Sequence, residues 1–275
     1  MQPPYSQLFI YYIQGRVQAD AALDIPAFIG NWEEEGDSFL FFSEPEDSLV
    51  ENVMRRQAGL ILVDRYTMSY EQWQGERVSA YAAGSVYIKP PWDRAPAPDE
   101  MICLLLDPGV VFGNGRHPTT RDCLEAMQLA FAAAEIASVI DLGTGTGLLA
   151  IAAAGLGATR VTAVDLNRLA TRTARRNVCL NQMADRVLVA QGDAKNFMDV
   201  ACDLMVSNIH YAVMRPMIEM PEFRAHKQFV LSGLLRSQAR EIEFVLKQRS
   251  ARIIRRWDQD GTWFTFWGCQ AGGIK

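Results

Sequence analysis

The chain has 275 residues, of which 49% are hydrophobic and 21% charged, and a formal net charge of −5. That is apolar material enough for one large α/β domain plus a small second one, while no apolar run approaches the roughly 18–20 residues that a membrane span needs. Cys103, Cys123, Cys179, Cys202 and Cys269 are scattered without a C-x-x-C pair, and His117, His210 and His226 lack metal-ligand spacing, so neither a disulfide frame nor a metal site is expected.

The start, Met1-Gln-Pro-Pro-Tyr-Ser6, has neither the basic opening nor the apolar run of a secretory signal, so a cytoplasmic location is expected. Residues 1–66 read as a small α+β domain. Leu8–Gln14 and Ser38–Ser43 are strand-like, Ser48–Gln57 is helical and Leu60–Tyr66 is a further strand. Between them, residues 15–37 carry Pro26, Gly30, Gly36 and little amphipathic period. Residues 67–100, with the run Lys89-Pro-Pro-Trp-Asp-Arg-Ala-Pro-Ala-Pro98, are expected to form a linker. Charge is unevenly divided: residues 1–100 hold 16 acidic and 7 basic side chains, whereas residues 101–275 hold 16 acidic and 20 basic. An acidic front segment repels nucleic acid and attracts a basic protein; alternatively, Glu33-Glu-Glu35 and Glu44 to Asp47 only solvate loops.

In residues 101–275 a glycine-rich stretch, Asp107-Pro-Gly-Val-Val-Phe-Gly-Asn-Gly-Arg-His-Pro-Thr-Thr120, leads into a helix at Arg121–Phe131. Strands are predicted at Ser138–Leu142, Arg160–Asp165, Val187–Gln191, Asp203–Ser207, Gln228–Ser232, Arg252–Trp257 and Thr262–Trp267. Helical segments such as Leu148–Leu156 and Leu166–Met183 fall between them, and this alternation predicts a parallel sheet with helices on both faces. Asp258-Gln-Asp-Gly261 is a hairpin signal, so the seventh strand is expected antiparallel to the sixth. Leu166, Leu169, Ala170, Ala174, Asn177 and Leu180 share one helical face, leaving Arg168, Arg172, Arg175 and Arg176 as a solvated face rather than a nucleic-acid patch.

The chemistry concentrates at Asp141-Leu-Gly-Thr-Gly-Thr-Gly147, where Gly143, Gly145 and Gly147 let the backbone turn sharply and bring its N–H groups to a ligand. Asp165 ends the next strand, the place from which an acid grips a ribose hydroxyl pair. Leu148 and Leu149 follow directly, so the third glycine of the dinucleotide pattern, which serves a pyrophosphate, is missing. A nucleoside ligand without phosphates fits better, and S-adenosylmethionine is the expected cofactor. Thr119 and Thr120, at a helix N-terminus, can hold a carboxylate or simply cap the helix. Asp193, in Gln191-Gly-Asp193, can accept from an adenine amino group or merely turn the chain. Asn208, in Ser207-Asn-Ile-His-Tyr211, follows the fourth strand, beyond whose carboxyl end ligands bind in such sheets. Its side-chain carbonyl, together with the backbone carbonyl of Ile209, can hold the hydrogens of an amine nucleophile, and positioning is most of that catalysis. His210 and Tyr211 read as structural.

The blocks Asp107-Pro-Gly, Phe112-Gly-Asn-Gly115, His117-Pro-Thr-Thr120, Asp141-Leu-Gly-Thr-Gly-Thr-Gly147, Val164-Asp165, Asn208-Ile209 and Leu231-Ser-Gly233 resemble the ribosomal protein L-eleven methyltransferases, the PrmA family, over about residues 88–270. The resemblance implies a Rossmann-like seven-stranded sheet, mostly parallel with its last strand antiparallel, and S-adenosylmethionine as cofactor. It also implies N-methylation of lysine and N-terminal amines on a basic partner, a ribosomal protein, without direct nucleic acid or membrane. By motif it places Thr120, Gly143, Asp165 and Asn208 in the cofactor site, with Asn208 also beside the amine; Gly145 and Asp193 join them from the residue reading. Three features depart from the family: Phe112-Gly-Asn-Gly115 replaces F-G-T-G, residues 15–37 lack the pattern of a first helix, and Pro221–Gln228 lacks a Pro-Gly-Gly turn. Amide and adenine N-methyltransferases share Asn208-x-x-Tyr211 but carry two prolines where Ile209 and His210 stand. A non-catalytic scaffold is a further alternative, against which the intact glycine loop, Asp165 and Asn208 argue together.

Overall fold

The computed structural model describes residues 3–18, 21–75 and 77–272. By internal contacts the chain divides into two units, Met1–Val78 with Asn167–Leu169, and Ser79–Leu166 with Ala170–Lys275.

In the first unit β1 (Gln7–Gln14), β2 (Phe28–Glu34) and β3 (Asp37–Phe42) precede helix α1 (Asp47–Arg56), and β4 (Ile61–Ser69) follows it. The strands form one antiparallel sheet in the order β2-β3-β1-β4. Side chains alternate across a strand, so Tyr11 and Ile13 share a face with Leu40 and Phe42 and pack on Val50 and Val53 of α1. β2 lies where the sequence shows no period, because polar Asn31 and acidic Glu33 and Glu34 interrupt its apolar positions. Its partner is secured by the turn: Glu35 (φ 52°) and Gly36 (φ 96°) both take the positive φ that a two-residue hairpin requires. Among the described residues of 15–37 there is β2 and a single 3-10 turn, Ala21–Leu23, but no α-helix, in keeping with the departure from the family pattern.

Residues 67–100 are more ordered than a linker. They complete β4 and form α2 (Tyr70–Gln74), where Ser69 Oγ accepts from the Gln72 N–H at 3.1 Å. Farther on, β5 (Tyr81–Ala83) and β6 (Val86–Lys89) join β7 (Ile102–Leu105) in a three-stranded sheet of the second unit. The proline run accounts only for residues 90–101, which carry no helix or strand. Ahead of it, buried Val86 and Ile88 supply a period-two face too short to read against Ala82, Ala83 and Gly84.

The second unit continues with α3 (Pro118–Ala133), β8 (Ser138–Leu142), α4 (Leu148–Gly155), β9 (Arg160–Asp165), α5 (Arg168–Leu180), β10 (Val187–Gln191) and β11 (Cys202–Asn208). After these come α6 (Tyr211–Glu219), β12 (His226–Leu235), α7 (Arg236–Gln248), β13 (Arg252–Gln259) and β14 (Trp263–Cys269). The seven-stranded sheet has the order β10-β9-β8-β11-β12-β14-β13, with β14 antiparallel to both its neighbours, as the Asp258–Gly261 signal implies. Its two faces follow the strand period. Val139, Val161, Leu204 and Val230 pack with Met127 of α3 and Ile151 of α4, whereas Ile140, Val164, Met205 and Phe229 pack with Met214 of α6 and Ile242 of α7. Strand order reverses between β8 and β11, which puts the crevice for a ligand beyond their carboxyl ends.

The apolar stripe on α5 contains one residue with a different task. Asn177 is fully buried; its Nδ2 donates to the carbonyls of Asp107 (3.0 Å) and Thr146 (2.8 Å), and its Oδ1 accepts from the Asp107 N–H (2.9 Å). One turn on, Asn181 pairs in the same way with both backbone groups of Leu105. Two carboxamides four residues apart thus read residues 105–107 as a neighbouring strand would. The arginines of this helix are not simply solvated either, since Arg176 pairs with buried Asp107 at 2.9 Å and Arg175 donates to the Val189 carbonyl. Asn177→Leu fills similar space but strands three buried backbone groups, so unfolding in denaturant is expected to show a loss of at least about 2 kcal/mol. Asn181→Leu, at a half-buried position, is expected to lose less.

Candidate active site

The loop after β8 is shaped by close approach. Gly143, Gly145 and Gly147 have φ of 77°, 54° and 85°. A β-carbon on Gly143 would collide with the Ile209 side chain, and one on Gly145 would stand 2.9 Å from the Phe112 carbonyl. The loop after β7 therefore lies directly on the glycine loop, and Thr146 Oγ1 fastens it by donating to the Gly113 carbonyl at 2.7 Å. Tyr81, from the stretch expected to be a linker, supports the same loop: its hydroxyl donates to the Asn114 carbonyl, and Arg116 and Arg121 stack on its ring.

The structure brings five of the six expected site residues to the carboxyl ends of β8, β9 and β11 or to the helix that abuts them. Asp165 ends β9 and accepts the Gly145 N–H at 2.9 Å, which ties the acid to the loop. Asn208 ends β11 half-buried, with Nδ2 3.3 Å from Thr119 Oγ1 and 3.5 Å from Thr120 Oγ1 at the first turn of α3. Asp193 follows β10, next to β9 in the sheet, where its Oδ1 accepts the Lys195 N–H and caps a short 3-10 turn. Its turn-forming role is therefore real. Tyr211 opens α6 and packs beside the core, and His210 is exposed.

One contributor was not assigned from sequence, and one has a role other than those expected. Gly233, in β12, has φ 86°, and a β-carbon there would come 3.1 Å from both Asn208 Oδ1 and the Ile209 carbonyl oxygen. The absence of a side chain thus lets β12 pass close to two carbonyl oxygens that converge on one point beside Gly233. Thr119, read as a carboxylate holder or helix cap, is not the cap, which is His117; its hydroxyl lies 2.7 Å from His117 Nδ1, and its carbonyl accepts from buried Ser232. The Leu231-Ser-Gly233 and His117-Pro-Thr-Thr120 strings held the signal, but spacing alone gave no partner for either.

Beneath the loop lies Asp141, buried at the end of β8, with its Oδ2 accepting from Thr144 Oγ1 at 2.6 Å. Burial pushes its carboxyl up to about 7, the Thr144 hydroxyl pulls it down and the Asp165 charge adds to the rise.

With this geometry in place, comparison with known proteins is specific. A family described as ribosomal protein L11 methyltransferase (PrmA) matches residues 38–270, a span that begins earlier than the motif-bearing residues 88–270. The ribosomal protein L11 methyltransferase of Desulforamulus reducens is 33% identical over 237 residues, covering 81% of this chain and 76% of its own length. That of Desulfitobacterium hafniense is 33% identical over 224 residues, covering 78% and 70%. Among solved structures, the ribosomal protein L11 methylase of Lactobacillus delbrueckii subsp. bulgaricus is 28% identical, with a TM-score of 0.62 over 70% of this chain and 98% of that one.

Asp141 gives this region a pH dependence of definite sign. A carboxyl raised in the folded state stabilises the fold in full below its unfolded value near 4, and that contribution fades as pH rises through about 7. Asp141→Asn keeps an acceptor for Thr144 and removes the titration. The melting temperature of this variant should gain on wild type between about pH 4 and pH 8. A constant gap across that range would remove Asp141 as the cause.

Proposed function

The chain belongs to the ribosomal protein L11 methyltransferase family, and on that premise we propose that it transfers methyl groups from S-adenosylmethionine to amino groups of a large-subunit ribosomal protein. What carries this reading for the chain's own residues is the pair of carbonyl oxygens, Asn208 Oδ1 and that of Ile209, that converge within 3.1 Å of one point beside Gly233. The relatives matched over most of the chain are protein methyltransferases, so an amide- or adenine-directed reaction is not favoured.

The residues fit the cofactor. The glycine loop presents bare backbone, Leu148 and Leu149 behind it are buried and carry no phosphate-binding group, and an acid stands at the end of β9. Asp165 would hold the ribose hydroxyls, Gly143 and Gly145 would line the cleft, Thr120 would face the methionine end, and Asp193 would stand toward the base. When bound, S-adenosylmethionine supplies a methyl on a sulfonium, an already activated leaving group.

The protein's part is then mainly orientation. Asn208 donates its amide hydrogens toward the two threonine hydroxyls, which turns its oxygen the other way. That oxygen and the Ile209 carbonyl would each accept one N–H of a neutral amine and aim its lone pair. The acidic front segment would draw in a basic protein, in the cytoplasm where ribosomal proteins are handled. No described helix is long and apolar enough to cross a membrane.

Transfer of labelled methyl into a cell extract, read by mass spectrometry, tests the reading directly: label should appear on lysine or N-terminal amines of a ribosomal protein. Within the site, Asn208→Ala should slow single-turnover methyl transfer by roughly 10- to 1,000-fold while leaving cofactor affinity close to wild type. Asp165→Ala should do the opposite, weakening cofactor binding by roughly 1.5–3 kcal/mol in calorimetric titration. A destabilised but fully active Asn208→Ala enzyme would sink the catalytic assignment. Raising ionic strength should raise KM for the protein substrate, with little change in cofactor affinity, if the acidic segment recruits it.

A further inference from the structure

We propose that His117 and Thr119 are positioning residues that fix which way the Asn208 carboxamide faces, an inference that rests on the reading of Asn208 as the holder of the amine. A carboxamide has two ends of similar shape, and only one of them accepts hydrogen bonds. An Asn that is to hold N–H groups must be prevented from turning over, so something must demand its NH2 end. Thr119 Oγ1, 3.3 Å from Asn208 Nδ2, makes that demand only if its own hydrogen is committed elsewhere.

His117 commits it. The residue is exposed as a whole, but its Nδ1 edge turns inward onto the first turn of α3, where Nδ1 lies 2.7 Å from Thr119 Oγ1 and 3.4 Å from the Thr119 backbone N–H. An Nδ1 that accepts from a backbone N–H cannot itself carry a proton, so the Thr119 hydroxyl is the donor of the short bond. Its lone pairs are thereby left to accept from Asn208. The direction of donation runs from the Asn208 amide to Thr119 to His117, and the Asn208 oxygen is turned toward Gly233 and the neighbouring Ile209 carbonyl.

Thr119 is itself held fast. It is buried, and its carbonyl takes the Ser232 hydroxyl at 3.3 Å. Thr265 Oγ1 lies 2.6 Å from Ser232 Oγ and 3.2 Å from Asp122 Oδ2 and shares its single hydrogen between them, while Gln259 donates to Asp122 Oδ1 at 2.7 Å. The rings of Trp263 and His117 meet in a T-shaped contact, their centroids 5.1 Å apart. β12 and β14 therefore pin the turn of α3 that orients Asn208, and the relay is part of the fold.

The test is a double-mutant cycle on the full-length enzyme, read as single-turnover methyl transfer to the protein substrate at saturating cofactor, with cofactor affinity and melting temperature measured on each sample. Thr119→Val keeps the shape and removes the hydroxyl; it should slow transfer by roughly 10- to 100-fold with cofactor affinity nearly unchanged, and Thr119→Ser should recover most of the rate. Because Thr119 acts through Asn208, Thr119→Val combined with Asn208→Ala should be no slower than Asn208→Ala alone. Wild-type rate in Thr119→Val, or losses that multiply in the double variant, would overturn the relay while leaving Asn208 in place. A fully active Asn208→Ala would overturn the underlying reading and the relay with it.

Discussion

The buried carboxamide of Asn177 holds in register the two loops from which the site is made. One helix side chain bonds both backbone groups of Asp107 and the carbonyl of Thr146, so the loop that follows β7 and the loop that follows β8 are attached to one point on α5. Thr146 then donates to Gly113, and the Phe112 carbonyl rests where a β-carbon of residue 145 would be. The glycines do not make the loop loose. They let three segments approach closely, and a side chain at any of these contacts would separate the segments.

The parallel sheet was legible because its strands are short apolar runs bounded by turn residues, and the antiparallel end was legible because Asp258-Gln-Asp-Gly261 can hardly do anything but turn. The glycine loop, Asp165 and Asn208 were legible because each closes a short apolar strand in a motif-like string, and the structure sets all three at strand ends. β2, β5 and β6 were not, for different reasons. β2 owes its pairing to a Glu35-Gly36 turn whose first residue is not among those that usually announce positive φ. β5 and β6 are three and four residues long and gain their order from β7, a contact no local pattern records. Asn177 was read as one position of an apolar stripe; its burial was right, and its reason, two carbonyls and an N–H more than thirty residues away, was not readable. Gly233 failed to declare itself, and Thr119 its role, for the same cause, since their partners, Asn208 in one case and His117 with Asn208 in the other, meet them only in the folded chain.

Charge at the site is arranged as sparingly as its side chains. Asp141 and Asp165 sit near the ends of adjacent strands; burial, with a smaller push from the neighbouring Asp165, raises the Asp141 carboxyl to about 7. The half-buried Asp165 accepts the Gly145 N–H from the glycine loop. At the end of β11 the acceptors are neutral, a carboxamide and a backbone carbonyl. A carboxylate in place of Asn208 would attract an amine more strongly, but it would favour the protonated form, and an ammonium has no lone pair with which to attack a methyl group. Neutral oxygens can hold N–H groups without paying for an extra proton. The cost is that a carboxamide can turn over, and a site that relies on one must control its orientation. The hydroxyl turn of α3, pinned through Ser232, Thr265 and Asp122, lies against the Asn208 amide where that control is needed.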